Sequence, residues 1–562
     1  MSKNNHSNKT LVLAFFKENL LLTTGVFFVG IMSIATTLFI PLLIGKYYQL
    51  ALNSHSARGK MLDAFFGEIT QVNHFFVLFG AIIIARFCFN YLERFFSGVA
   101  SEKFSKSLRE QLFKAQLNTT LSAFEKKATG NYLLRYSGDL TAITNYLSKG
   151  IIGFINDVVF VTLTLVLFFM INEVLAWIIL ISFPLIFGSI LLLNMKLKIY
   201  SVKRRDVRSQ NLGFVTSRLN ALFTIKVFNR ESLEQQQFEK RSSVLFKNGV
   251  RYYGWYSLIT ALLPLLLYSM LGLILFVAYQ LNQQQINTIE GSQVIVFIML
   301  TISVIPILKR ILKVNIVWQT GRISMRKLLL ILNSPQEEST DVKQLVITKG
   351  RIEFDHVSYG KQDQNLLFNQ LNFTVPHFGI YQVNGQQGSG KSTLFKLLLG
   401  IYDLKSGSIL IDGISIDEIS RKNLRRKVTL VSGELNLLGK TIFEAVSYSR
   451  KEEKKEAVQL LLKALGFFNS SFETVDYPIV DGGKNLSAGQ RKIVSIARTI
   501  STNKKIILLD DPFADLDKVY QTNLIAVLNH LKKDKTILMI NQVEHEHLVY
   551  DGFVTLPNKE TH

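Results

Sequence analysis

Cysteine is almost absent from this sequence, in which Cys88 is the single cysteine among 562 residues. One cysteine cannot form an intrachain disulfide or a cysteine-based metal site, so a disulfide scaffold and a zinc-ribbon type of domain are both excluded. Because Cys88 lies within a hydrophobic stretch, we interpret it as a small apolar residue that is buried in the fold.

Acidic residues are scarce as well. The chain has 42 Asp and Glu against 64 Lys and Arg, which gives a formal net charge of +22. Such a surplus can indicate nucleic-acid binding, but here the basic residues stand between hydrophobic stretches and do not follow one soluble face. We therefore predict no nucleic-acid partner.

Hydrophobic residues are abundant and make up 48% of the chain. A bilayer core of ~30 Å needs about 20 mainly apolar residues in a helix, which satisfies its own backbone in lipid. Six stretches meet this requirement: 20–45, 72–96, 151–171, 174–195, 257–281 and 292–313. The sequence thus predicts an α-helical polytopic membrane domain over 1–325, a linker over 326–349 and a second domain over 350–562, with the lipid bilayer as a partner.

The loops between these stretches predict the orientation. Segment 97–150 carries eight Lys or Arg and segment 196–256 carries thirteen, while the connections 172–173 and 282–291 carry none. By the positive-inside rule, the N-terminus, both long loops and the C-terminal domain face the cytoplasm of a bacterial-type inner membrane. Loops 46–71, 172–173 and 282–291 then lie outside, and the long basic loops are expected to be helical extensions of the spans.

Three ionisable residues lie within predicted spans, namely Arg86, Glu93 and Asp157. Charged groups are costly in a membrane, so each is a functional candidate. Arg86, Asn90 and Glu93 recur at helical spacing, which gives the second span one polar face. That face can look into a substrate cavity, or its charges can pair with one another near the cytoplasmic end.

From Gly350 onward the pattern changes to short β-rich runs alternating with helices, as in a mixed α/β domain. A complete P-loop lies between a strand-like run at 380–383 and a helix-like run at 394–399, and it comprises Gly385, Gln386, Gln387, Gly388, Ser389, Gly390, Lys391, Ser392 and Thr393. In such a loop, backbone N–H groups surround the β and γ phosphates, the lysine adds a charge and the serine reaches Mg²⁺. We predict that the domain binds ATP and Mg²⁺.

A second motif supports this prediction. The run Ile506-Ile-Leu-Leu-Asp510 has the character of a buried parallel strand that ends in a carboxylate, the Walker B arrangement. Asp510 and Ser392 are therefore the predicted metal-side residues. A further motif lies between the P-loop and this strand and comprises Leu486, Ser487, Ala488, Gly489 and Gln490.

With these motifs, the sequence resembles the ATP-binding cassette (ABC) exporter family over nearly its whole length. Residues 486–490 differ from the family's LSGGQ signature by one methyl group, at Ala488, and segments 124–130 and 224–228 resemble its two cytoplasmic coupling segments. The resemblance implies a P-loop ABC ATPase domain that pairs with that of a second transporter half. Each ATP would then be held between the Walker motifs of one half and the signature of the other, and ATP-driven closure would export a substrate.

The resemblance also identifies departures, all on the Walker side of the site. The family's catalytic glutamate corresponds to Asp511, whose side chain is one methylene shorter. A general base must come within ~2.6–3.2 Å of the water it activates, so this change predicts slower hydrolysis. The family's switch histidine corresponds to Gln542, which can donate to the γ-phosphate but cannot become an imidazolium ion, while His545 and His547 are expected to lie out of reach.

Two further positions differ. The Q-loop glutamine corresponds to Gly433, so a contact between Mg²⁺ and the coupling interface is missing. The adenine-stacking aromatic residue corresponds to Lys361, and Tyr359, two residues earlier, is a candidate substitute. An intact P-loop beside an altered catalytic set resembles the degenerate-site subunit of heterodimeric bacterial ABC exporters.

Three hypotheses remain open from the sequence. The chain is a heterodimeric exporter half with a degenerate site, a homodimeric exporter in which Asp511 hydrolyses slowly, or a nucleotide-sensing regulatory membrane subunit. The exported substrate is expected to be a peptide, a lipid or another amphipathic compound.

Overall fold

The computed structural model describes residues 8–51, 71–125, 132–133, 135–284, 289–337, 348–360, 366–448, 454–469, 474–542, 545 and 547–557. The chain forms two compact units, Met1–Leu117 with Ala128–Ser334 and Asn118–Lys127 with Pro335–His562. The division falls within the predicted linker 326–349, of which the first part is helical because the last long helix runs to Leu332. Segment Asn118–Lys127, which the sequence placed in the membrane domain, belongs to the second unit.

The first unit contains a short helix, Asn8–Glu18, followed by six helices long and apolar enough to cross a membrane. These six, numbered here as spans one to six, are Leu20–Ala51, Val72–Asn118, Arg135–Ile171, Glu173–Asn220, Glu231–Gln283 and Gly291–Leu332. Span five has 53 residues, which at a rise of ~1.5 Å per residue is far longer than a bilayer core requires. The six predicted spans and their long helical extensions are confirmed.

Spans three and six pack closely where Tyr146–Ile152 of span three meets the last third of span six. Span three winds as a wider π-type helix over Tyr146–Ile152, and the indole Nε1 of Trp318 donates to the carbonyl of Gly150 at 2.6 Å. A side chain at Gly321 would collide with the ring of Tyr146. Glycine at this position therefore permits the close approach of the two helices.

Span two is the least buried of the six. Among its described residues, Phe75 is the only buried residue before Ala100, and Cys88 is exposed. The prediction that Cys88 is buried is thus wrong for the single chain. The cause is that an apolar residue in a membrane helix can face lipid or a second subunit as well as the core.

Two of the three charged residues predicted within the spans, Glu93 and Asp157, bond to residues of other spans. Asn156 in span three donates to Glu93 in span two at 2.9 Å. Asp157 is 5% exposed and accepts from Nε of Arg310 in span six at 3.1 Å. Glu93 and Asp157 are therefore each paired with another span and not with the polar face of span two itself, as the alternative of mutual pairing had supposed.

The second unit is built on two sheets. An antiparallel sheet has the order β2-β1-β4-β5 and a parallel sheet has the order β6-β7-β8-β3-β9. In chain order the strands are Ile352–Tyr359, Phe368–Val375, Gly379–Asn384, Ser406–Ile411, Ile414–Ser415, Val428–Val431, Ile506–Asp510, Thr536–Ile540 and Gly552–Thr555, numbered β1 to β9. Since β7, β8 and β3 are neighbours and parallel, the loops that follow them meet at one edge of the sheet.

Segment Asn118–Lys127 packs against the second unit through backbone and side-chain contacts. Thr119 forms an antiparallel bridge with Gln336, and the hydroxyl of Tyr402 donates to the carboxylate of Glu125 at 3.0 Å. A short helix, Leu121–Glu125, lies within this segment. The linking segment is therefore fixed to the α/β unit of its own chain.

Candidate nucleotide-binding site

The predicted P-loop lies between β3 and a helix at Lys391–Leu398, as the sequence indicated. Gly388 and Gly390 have φ angles of +84° and +93°, a conformation that glycine adopts without strain. A Cβ atom at Gly390 would lie 2.8 Å from the side chains of Leu367 and Phe368. The loop thus requires glycine at this position for both backbone and packing reasons.

The polar groups of this loop fit a triphosphate. The ammonium of Lys391 donates to the carbonyls of Gly385 at 2.6 Å and Gln386 at 3.0 Å, so it lies over the loop. The hydroxyl of Ser389 is buried and has no hydrogen-bond partner among the described residues. A buried hydroxyl without a partner is rare, and a phosphate oxygen would satisfy it.

The two predicted metal-side residues lie together. Ser392 hydrogen-bonds to Asp510, which ends β7. Burial raises the pKa of Asp510, and the charges of Asp511 and Glu434 raise it further, whereas the Ser392 hydrogen bond and the charge of Lys492 oppose this shift. One hydroxyl and one carboxylate suit Mg²⁺, which in nucleotide sites completes its coordination with phosphates and water.

No group of three or more His, Cys, Asp or Glu side chains that could hold a metal ion occurs within the described ranges. A metal at this site would therefore depend on the nucleotide for most of its ligands, as Mg²⁺ in phosphoryl-transfer sites does. This agrees with Ser392 and Asp510 as the chain's own contribution.

The departures at 511 and 542 flank the same sheet edge. Asp511 has a φ of +51°, and its backbone N–H donates to the carbonyl of Ile540 at 2.9 Å, which ties the end of β7 to the end of β8. Gln542 follows β8 and is exposed. The structure thus brings both predicted catalytic positions to the strand ends beside the P-loop.

His545, expected to lie out of reach, packs against Phe513 with ring centroids 4.1 Å apart. Burial lowers the pKa of His545. Its ring nitrogen Nε2 is buried without a hydrogen-bond partner among the described residues. The ring therefore packs against Phe513, and its expected distance from the nucleotide stays a prediction.

Gly433, the position predicted to correspond to the Q-loop glutamine, is sterically open. A Cβ atom added at Gly433 would meet no atom within 4 Å. Gly433 lines a polar cavity of about 380 Å³ together with Ala488, Lys492 and Asp515. The absence of a side chain at this position leaves that cavity unfilled by protein.

The adenine-stacking candidates are placed differently. Lys361 lies outside the described residues. Tyr359 is only 6% exposed, and its ring stacks on that of Tyr402 with centroids 5.7 Å apart. This burial favours a packing role for Tyr359 over adenine stacking.

The signature motif begins a long, well-capped helix, Ala488–Ser501. The hydroxyl of Ser487 accepts from the N–H of Gln490 at 3.1 Å, and the side chain of Gln490 accepts from the N–H of Ser487 at 2.8 Å. This capping box holds the motif in one conformation. Gly489 is buried, and a Cβ atom there would lie 2.8 Å from the carbonyl of Asp515.

Comparison with known families agrees with this geometry. Residues 23–306 match the family model described as ABC transporter transmembrane region, and residues 368–514 match the family model described as ABC transporter. The chain belongs to the ABC transporter family. It combines one membrane region and one ATPase domain, so it is a half-transporter, and ABC exporter halves function as dimers in a membrane.

Two bacterial flippases are similar in sequence to most of this chain. The ATP-dependent lipid A-core flippase of Haemophilus influenzae (strain 86-028NP) is 26% identical over 490 residues, covering 85% of this chain and 83% of the relative. That of Pectobacterium atrosepticum is 26% identical over 445 residues, covering 78% and 76%. A solved bacterial Atm1-family ABC exporter with ATP bound has the same fold, with a TM-score of 0.80, 19% identity and coverage of 95% and 93%.

The two segments that resemble ABC coupling segments differ in their surroundings. The first is fixed to the ATPase unit up to Glu125, and residues 126–130 lie outside the described part. The second forms a short helix, Leu222–Val227, none of whose residues is buried. Phe223 is 82% exposed and Phe228 is 68% exposed. Apolar side chains this exposed indicate a surface that a partner covers.

The membrane unit of this ABC half-transporter contains an apolar cavity of about 510 Å³ between spans three, four and six. Thr162 and Thr164 line it, but each hydroxyl donates to a carbonyl of its own helix, at 3.0 and 2.7 Å. The cavity therefore offers no unpaired side-chain polar group. It adjoins the Asp157–Arg310 pair through Val158 and Ile311.

Sequence reasoning missed two residues that the structure brings forward. Arg310, the partner of Asp157, lies at the basic end of span six and was not distinguished from the other cytoplasmic cations. Lys492 lies one turn into the signature helix and donates to the carbonyl of Asp511 at 2.9 Å. No pattern in the chain places a lysine of the signature helix beside Walker B, because that contact joins residues far apart in sequence.

Proposed function

We propose that this chain is the exporter half with the degenerate ATP site, which holds ATP at its own Walker motifs and hydrolyses it slowly. The observation that carries the proposal is the contrast within one site. The P-loop and Asp510 have the geometry of a nucleotide and Mg²⁺ site, whereas Asp511, Gln542 and Gly433 replace the three groups that hydrolysis and coupling use in the family.

The signature motif supports a second part of the proposal. Its capping box is complete, and the change at Ala488 adds one methyl group at an exposed position. We infer that this motif completes the active site of a different half that carries the glutamate and histidine. A heterodimer is therefore the favoured assembly, and the exposed apolar surface at 222–228 is consistent with a covering partner.

The ATPase domain is proposed to face the cytoplasm. Support comes from the basic residues on the helical extensions, which continue from the spans on that side. Export of a substrate out of the cytoplasm follows from this orientation.

The test of the ATP-site proposal uses the full-length chain purified alone in lipid nanodiscs. We expect the chain to bind ATP in the presence of Mg²⁺, with an ATPase rate close to that of a matched Asp510→Ala variant. A high ATPase rate that the Asp510→Ala variant abolishes would contradict the degenerate site and favour a homodimeric exporter. If the chain alone shows no high ATPase rate, and a reconstituted pair of halves also shows no substrate flux, a regulatory subunit would be favoured.

We further propose that the cargo is an amphipathic molecule with an acyl chain. The cavity among spans three, four and six suits a purely apolar group in both lining and size, since ligand pockets typically measure ~300–1,000 Å³. At its edge, Arg310 has a side chain that is 63% exposed and can reach an anionic headgroup. The names of the lipid A-core flippases among the relatives support a lipid over a peptide.

A cavity-filling variant tests this cargo. Val161 lines the cavity, and Val161→Trp is expected to abolish transbilayer movement of a labelled anionic lipid in proteoliposomes while ATP binding persists. The matched control is Leu192→Trp in span four, at a residue that is 69% exposed. Equal lipid flux in the two variants would contradict a role of the cavity in transport.

A further inference from the structure

Lys492 occupies an unusual place for a lysine. It lies in the first turns of the signature helix, Ala488–Ser501, yet its half-buried ammonium donates to the carbonyl of Asp511 at 2.9 Å. Asp511 directly follows the metal-side residue Asp510 and has a left-handed backbone. The lysine therefore joins the signature helix to the turn that ends Walker B.

The charge of Lys492 also acts on the metal-side carboxylate. Asp510, although buried at the end of β7, is influenced by the positive charge of Lys492, by the Ser392 hydrogen bond and by the negative charges of Asp511 and Glu434. A partly buried charge at short range is screened by solvent much less than an exposed one. Lys492 is thus a fixed cation beside the carboxylates that would attract Mg²⁺.

The surroundings of Lys492 are open on one side. The polar cavity of about 380 Å³ that Lys492 lines is also bordered by Gly433, where the family's Q-loop has a glutamine. No atom lies within 4 Å of the Cβ position of Gly433. At Gly433 this chain therefore has no side chain where the family has a neutral glutamine, and Lys492 lines the same cavity.

We propose that Lys492 is a positioning residue that supplies a permanent positive charge at this nucleotide site, so that ATP binding by this chain depends little on Mg²⁺. The inference rests on the proposed function, since it describes how the same degenerate site holds its nucleotide. A fixed cation attracts the triphosphate and repels a divalent metal. Both effects bring the affinities for ATP with and without Mg²⁺ closer together.

The test measures equilibrium binding of radiolabelled ATP to the full-length chain in nanodiscs, with excess Mg²⁺ and with EDTA. The quantity compared is the dissociation constant in EDTA divided by the dissociation constant with Mg²⁺. Lys492→Gln removes the charge but keeps an N–H donor for the Asp511 carbonyl, and Lys492→Arg keeps the charge. Lys484 gives a matched control, because it lines the same cavity but its side chain is 76% exposed and pairs with Asp481.

We expect Lys492→Gln to raise the ratio about tenfold, as loss of one close charge interaction would. Lys492→Arg and Lys484→Gln are expected to leave it unchanged. An unchanged ratio in Lys492→Gln, or an equal rise in Lys492→Arg, would overturn the role of the Lys492 charge. If ATP binding with Mg²⁺ is normal in those variants, the proposed function itself is unaffected by that result. Failure of the unaltered chain to bind ATP with Mg²⁺ would overturn both.

Discussion

The Walker side and the signature side of this cassette have diverged to different degrees. On the Walker side, the P-loop has its glycines and its lysine, but by the proposed correspondence positions 433, 511 and 542 lack the side chains that the family uses for hydrolysis. On the signature side, the capping box is intact and the one change is an exposed alanine. Binding elements are thus retained on both sides, whereas catalytic elements are altered on one.

This difference indicates how one chain can serve two nucleotide sites unequally. Nucleotide binding needs positioned backbone donors and a charge, which tolerate changes elsewhere in the site. Hydrolysis needs a base placed to within a fraction of an ångström. A chain that retains the first and not the second can still contribute a signature to a partner that has both.

The largest expected effect comes from restoring the catalytic pair on the Walker side. Asp511→Glu with Gln542→His is expected to raise the ATPase rate of the chain alone by about 100-fold, because an ångström of misplacement costs roughly that factor. The same pair with Asp510→Ala is the control and is expected to stay inactive. The positive φ of Asp511 suits aspartate better than glutamate, so a small fall in melting temperature is also expected.

No rise in the rate would contradict the view that positions 511 and 542 limit hydrolysis. Another Walker-side residue would then have to limit hydrolysis, and Gly433 would be the first candidate.

A second variant pair probes the signature side. Gly489→Ala is expected to destabilise the ATPase unit by about 1–3 kcal/mol, since its Cβ would lie 2.8 Å from the carbonyl of Asp515. Ala488→Gly, at the adjacent exposed position, is expected to change stability by less than about 1 kcal/mol. Thermal unfolding of both variants measures the difference, and equal melting temperatures would show that the motif is not tightly packed.

A glutamine at position 433 tests the third Walker-side position with little expected change in stability. Gly433→Gln is expected to leave stability within about 0.5 kcal/mol, because the site is open, and to raise the ATPase rate of the restored pair a further few fold. Gly439→Gln is the matched control in the same loop, where φ is +145° and a Cβ would lie 2.7 Å from the N–H of Ala445. A loss of stability in Gly433→Gln equal to that of the control would contradict an open Q-loop position.

The smallest expected effect distinguishes a functional carboxylate from a structural one. The folded pKa of Asp510 is raised, chiefly by burial, so its ionised form destabilises the fold at neutral pH. This penalty shrinks as the pH falls through the folded pKa and is gone below the unfolded pKa. The pKa of Asp412 is instead lowered, because four backbone N–H groups outweigh the effect of burial. Its stabilisation is present above the unfolded pKa and is lost as the pH falls through the folded value.

Asp510→Asn is therefore expected to stabilise the nucleotide-free chain at pH 7, and Asp412→Asn to destabilise it. Melting temperatures at pH 7 measure the two signs, and both differences from the unaltered chain are expected to shrink at about pH 3, below the unfolded aspartate pKa of ~3.9. A destabilising Asp510→Asn would mean that Asp510 is more important for the fold than for the nucleotide.

Much of the architecture could be predicted from the sequence, because its signals are local. The six spans follow from apolar runs, and the P-loop follows from glycine spacing between a strand and a helix. The burial of Tyr359 against Tyr402 and the contact of Lys492 with Asp511 could not be predicted, since both join distant segments. Cys88 was misplaced because hydropathy does not distinguish a core from a lipid-facing or subunit-facing surface.

If the proposal is right, this chain holds ATP at its Walker side and hydrolyses it only slowly. The most direct test is to incubate the full-length chain with Mg²⁺ and radiolabelled ATP, remove free nucleotide and identify the nucleotide that remains bound. The incubation time is chosen so that the Asp511→Glu, Gln542→His variant completes at least one round of hydrolysis. We expect the unaltered chain to retain intact ATP and the variant to retain ADP. Recovery of ADP from the unaltered chain would contradict the proposal.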